Sequence, residues 1–133
     1  LGAAIETVRA GKIKALAVFD TAENEYLPGV QAVSDANDGY NTYLPWGPFF
    51  GVFVKNGTPT DVVSKLQGAY AVAATNPDFT DLMETRGFTL MNISGDEATA
   101  FLSKWQQGTT WLLQDAGMTK TSPEEFGIAR PGE

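Results

Sequence analysis

Apolar residues recur along this chain at two spacings, and each spacing predicts an element. Ile5 and Val8, with Ala4 beside them, share one helical face, and Gly11 stands where such a helix stops. Lys12 to Phe19 reads as a strand. Its Ala15-Leu16-Ala17-Val18-Phe19 run lacks the polar alternation of a half-exposed strand, which predicts a sheet covered on both faces. Phe49 to Val54 reads as a second buried strand. Thr58-Pro59-Thr60-Asp61 is a helix start, with Thr58 as N-cap, Pro59 at the first helical position and Asp61 favoured by the helix dipole. Val62, Val63, Leu66, Tyr70 and Ala73 then form one stripe, ending near Asn76.

Asn76-Pro77 starts a shorter helix that carries Phe79, Leu82 and Met83 inward and stops at Gly87; Phe88 to Ile93 follows as a third strand. Ser94 and Glu97 have capping-box spacing and open the longest helix, Gly95 to Ala116. Its apolar face is Ala98, Phe101, Leu102, Trp105, Leu112, Leu113 and Ala116, and Gly117 stops it. Thr121 to Glu133 shows little periodicity and is expected to be a surface tail. The stretch Asp20 to Pro48, rich in Gly, Asn, Asp and Pro, shows no convincing element. Loops of that length are uncommon inside compact domains, and three strands are few for an α/β sheet. Both features fit a segment of a larger two-lobed protein that crosses between lobes.

Composition narrows the function. The chain has 133 residues with 16 acids against nine bases, a net charge of −7. That speaks against nucleic acid, whose binding rests on clustered Lys and Arg. With no cysteine and no histidine, disulfides, thiolate nucleophiles, His bases, Ser-His-Asp triads and ordinary zinc sites are excluded. No apolar run approaches the length of a membrane span. The first residues lack the order of a secretory signal and carry no initiator Met, so the chain is expected to open inside a helix of a longer protein.

Four groups could carry chemistry. Asp35-Ala36-Asn37-Asp38-Gly39 resembles the start of a calcium loop, but Gly falls one place early and Trp46 occupies the position that requires Glu; an ordinary Asp/Asn/Gly turn is the simpler reading. The helix starts at Gly57-Thr58-Pro59-Thr60 and Ser94-Gly95 could hold an anion, or could be plainly capped. Glu23/Glu25, Asp78/Asp81, Asp96/Glu97 and Glu124/Glu125 could do acid–base work, or could be solvated, dipole-favoured acids. Tyr40, Tyr43, Trp46, Phe49 and Phe50 could line a ligand cleft, or pack beneath the long loop.

The order of these pieces resembles one family: the substrate-binding receptors of tripartite tricarboxylate transporters, the Bug-type periplasmic solute-binding proteins. The resemblance rests on Val8-Arg9-Ala10-Gly11-Lys12-Ile13-Lys14-Ala15-Leu16-Ala17-Val18, on Leu27-Pro28-Gly29-Val30, and on the run from Trp46-Gly47-Pro48 through Asn56-Gly57-Thr58-Pro59. Asp61-Val62-Val63-Ser64-Lys65-Leu66, Asn76-Pro77-Asp78-Phe79 and the closing helix from Phe101 through Trp105 to Ala116-Gly117 complete it. It covers Ala4 to about Met118 of the C-terminal portion of such a receptor. Gln31-Ala32, in place of the usual Pro-Thr, and the residues after Lys120 depart from it.

The resemblance implies an α/β, two-lobed periplasmic-binding-protein-like fold with a mainly parallel sheet flanked by helices. Residues 1–45 would be a remnant of the second lobe plus the long loop. Residues 46–118 would be the inter-lobe crossing strand and the C-terminal part of the first lobe, and 119–133 a tail. The implied function is capture of a small carboxylate and its delivery to membrane permease subunits, in the periplasm, without catalysis, cofactor or metal. The main ligand-gripping loops are expected upstream of Leu1, leaving Tyr43, Trp46, Gly47 and Pro48 as cleft or hinge candidates. The alternatives are a carboxylate-dependent α/β small-molecule enzyme and an interaction module docking through the aromatic stretch. The apolar strands, left without flanking partners, also predict a domain-swapped homodimer.

Overall fold

The computed structural model describes residues 2–44 and 46–132. Leu1, Pro45 and Glu133, at the edges of the expected divisions, lie outside the described residues. Five α-helices are present among them: α1 (Gly2–Arg9), α2 (Val33–Ala36), α3 (Thr60–Ala73), α4 (Pro77–Arg86) and α5 (Gly95–Asp115). Short 3-10 helices span Asp38–Tyr43 and Pro123–Phe126. The chain divides into two compact units, Leu1–Lys14 with Phe49–Ala98, and Ala15–Pro48 with Thr99–Glu133.

The expectation of an α/β fold with a mainly parallel sheet is overturned. Among the described residues there is no β-strand, and about half of the chain is helical. Lys12–Phe19, Phe49–Val54 and Phe88–Ile93 form no ladder; the β pairing present is one isolated parallel bridge between Val18 and Ala32. Two hydrogen bonds of 2.9 Å make it, from Val18 N–H to the Gln31 carbonyl and from Val33 N–H to the Val18 carbonyl. A continuous apolar run measures what a segment would gain by burial, but a strand also needs a neighbour to exchange N–H and C=O groups. Among the described residues these runs pair with no such neighbour beyond that one bridge, and Leu16 is 76% exposed and Phe50 78% exposed.

In the first unit, Ile5 of α1 and Ala74, just past α3, are buried. Arg9 reaches from α1 to the end of α4, donating to the Thr85 carbonyl at 3.2 Å. Asn76 caps α4 by accepting the Asp78 N–H, with Pro77 at its first turn. Gly87 ends α4 at φ 66°, a left-handed conformation that costs a residue without Cβ nothing. Phe88 then donates back to the Met83 carbonyl, closing the turn. Helix α3 starts later than its cap signal implies. The Thr58 hydroxyl donates to the Lys55 carbonyl at 2.7 Å instead of accepting from the helix, and Pro59 takes the cap position.

The second unit is built where the sequence shows least. Leu27, Ala32, Val33, Ser34 and Leu44, all from the long loop, are buried together with Trp111 of α5. Side chains shape this loop locally. The Asp35 carboxylate accepts the Ala32 N–H at 3.2 Å, and Asn37 caps the first 3-10 helix by accepting the Gly39 N–H at 2.8 Å.

Residues after Lys120, expected as a surface tail, run back along α5 as a strap. Pro123 is buried, the Trp111 indole N–H donates to the Ile128 carbonyl at 3.0 Å, and Gln107 donates to the Ala129 carbonyl at 3.0 Å. The Arg130 guanidinium lies 4.2 Å from the Trp111 ring centroid and grips Asp115 with two hydrogen bonds of 2.9 and 2.8 Å.

Candidate functional site

Tyr43, Trp46, Gly47 and Pro48 lie at the end of the long loop, in the second unit. Tyr43 closes the first 3-10 helix and is half-buried. Its main chain runs against α5: a Cβ on Gly108 would stand 3.0 Å from the Tyr43 carbonyl oxygen, so the approach needs a glycine there. The Gly47 carbonyl accepts the Trp105 indole N–H at 2.8 Å. Trp46, 40% exposed, meets Phe19 edge to face with ring centroids 5.7 Å apart and planes at 68°. Pro48 is exposed and is the last residue before the chain passes into the first unit.

Trp46 pairs with Phe19 in the second unit. In the first unit Phe49 pairs with Phe53 at 6.4 Å, and Phe50 with Phe88 at 5.7 Å.

Asp35 and Asn37 of the calcium-like stretch spend their side-chain oxygens on backbone N–H groups. Among the described residues no group of three or more His, Cys, Asp or Glu could hold a metal ion. The paired carboxylates are exposed: Asp78 and Asp96/Glu97 stand in the first turns of α4 and α5, and Glu124/Glu125 in the first turn of the second 3-10 helix. Glu23 accepts the Gly29 N–H. One carboxyl is held below the usual carboxylate range, that of Asp115. The Arg130 hydrogen bonds are the main cause, desolvation opposes them, and the Arg130 charge adds to the lowering.

Sequence reasoning missed the Trp111–Arg130–Asp115 clamp and the Gly108–Tyr43 approach. A glycine in mid-helix, three residues from a tryptophan on either side, is the signal that points to the second. Nothing local marks Arg130 as the partner of Asp115.

A family model described as the tripartite tricarboxylate transporter family receptor matches residues 1–118. A UPF0065 protein of Bordetella pertussis (strain Tohama I) is 26% identical over 111 residues, covering 84% of this chain and 33% of that protein. The chain thus spans about a third of the length of the curated relative it matches. No solved structure matches it significantly.

Proposed function

The chain belongs to the tripartite tricarboxylate transporter receptor family, whose members are substrate-binding receptors and not enzymes, and from that premise we propose that it serves to capture a small carboxylate in the periplasm and deliver it to membrane permease subunits. The family match over residues 1–118 carries this reading. Among the described residues no helix is long and apolar enough to cross a membrane, which suits a part that works beside a permease and not within it. These 133 residues carry a net charge of −7, so any anion they help to hold is held by local N–H dipoles and not by their overall field.

Under this reading the main ligand-gripping loops stand upstream of Leu1, and Tyr43, Trp46, Gly47 and Pro48 act as hinge or cleft-edge residues. The anchored Gly47 carbonyl and the position of Pro48 at the passage between units support that role. Exposed Phe50, Val52 and Phe53 support association of two copies, including exchange of elements.

Calorimetric titration with citrate, malate and related acids tests the proposal. The natural full-length product is expected to bind at least one of them, and the bare 133-residue chain none with micromolar affinity. Failure of the natural product to bind any would overturn the carboxylate reading. Micromolar binding by these residues alone would overturn the placement of the ligand loops.

A further inference from the structure

Resting on the receptor reading only for the partner's place in a transporter, we propose that the Phe19–Trp46 face of the second unit docks a lysine- or arginine-bearing segment of a partner protein. Phe19 is 59% exposed and Trp46 40%, so the two rings pack on each other and leave much of their area in water. Their backbones, by contrast, are pinned. Val18, before Phe19, is held by both bonds of the bridge to Ala32, and Gly47, after Trp46, by the Trp105 indole N–H. Rings free and main chain fixed is a surface already ordered for contact, which lowers the entropy lost on binding.

Charge selects the occupant. The stretch 15–48 carries Asp20, Glu23, Glu25, Asp35 and Asp38, all exposed, and not one Lys or Arg. The unit as a whole has three bases, Lys104, Lys120 and Arg130, the last engaged with Asp115, against nine acids, so it stays strongly negative. Asp20 is held next to α2 by the Ser34 hydroxyl, which donates to its carbonyl at 3.2 Å, and Asp38 opens the 3-10 helix bearing the exposed Tyr40. A guanidinium or ammonium gains from the indole face, and the exposed acids of this stretch steer basic groups towards it. The carboxylates are spread from Asp20 to Asp38, and an edge-to-face pair encloses nothing. That geometry fits an extended segment with several positive charges better than one small cation.

Calorimetry with a 12-residue peptide of alternating arginine and leucine is the test. Binding is expected to weaken at least tenfold on Trp46→Ala and on the combined Asp20→Asn/Asp35→Asn change, whose amide oxygens preserve the Thr21 and Ala32 hydrogen bonds. Asp78→Asn/Asp81→Asn, on α4 of the other unit, should leave it within twofold. Circular dichroism verifies folding of each variant, and Trp46→Phe substitutes if the alanine variant unfolds, with an intermediate loss expected. Absence of binding, equal loss from both acid pairs, or equal affinity for arginine amide alone would each overturn the proposal. None of these outcomes bears on carboxylate capture, which the titrations with citrate and malate test separately.

Discussion

Trp111 is held in three ways: its ring is buried, its N–H is bonded to the Ile128 carbonyl and its face is covered by Arg130. Trp111→Ala should therefore cost about 3–5 kcal/mol in denaturant unfolding, the range of large aromatic truncations in cores. Phe101, half-buried one turn before Trp105, should cost distinctly less. Two glycines give a sharper comparison. Gly68, mid-helix in α3, has open space around its missing Cβ, so Gly68→Ala should stabilise by about 0.5–1 kcal/mol. Gly108→Ala meets the Tyr43 backbone and should destabilise despite the same gain in helix propensity. Equal melting shifts for the two would disprove the close approach. Phe101 and Trp105 are readable from helical spacing. Trp111 is not, because the stripe through Phe101, Trp105 and Leu112 assigns it to a flank, and only the returning strap buries that flank.

At the level of elements, what is local is legible in the sequence and what is remote is not. Gly11, Gly87 and Gly117 read as helix stops, and each lies just past a helix at a left-handed φ of 66–68°. Asn76 and Pro77 fix the start of α4 within a few residues of chain. Strands depend on partners elsewhere, and no local signal says whether partners exist; the three apolar runs mislead for that reason. The long loop escapes from the opposite side, since its Asp and Asn side chains build short helices that have no apolar period. The strap makes a prediction of its own. Arg130 lowers the Asp115 carboxyl below its ordinary value, so the contact is fully present above the ordinary carboxylate range and is lost as pH falls through the depressed value. The Trp111 indole N–H resonance, followed by NMR under acidification, should move as the strap loosens. Asp115→Asn should abolish that dependence.

On the scale of the whole molecule, a short set of buried residues coexists with many exposed apolar ones, among them Phe50, Val52, Phe53 and Val54. Light scattering should show concentration-dependent association, reduced by Phe50→Ser with Phe53→Ser; a clean monomer at tens of micromolar would refute it. The family can be read from the order of motifs, because short strings such as Ala10-Gly11-Lys12 and Asn76-Pro77-Asp78-Phe79 identify it although no strand forms among the described residues. The candidate site is legible only as a stretch of aromatics, since ring partners such as Phe19 and Phe88 are distant in sequence. Trp46, Trp105 and Trp111 all belong to the second unit. Tryptophan emission therefore arises in the second unit, while the one tyrosine of the first unit is Tyr70. A melting temperature taken from emission describes residues 15–48 and 99–133, and it equals the calorimetric one only if both units unfold together.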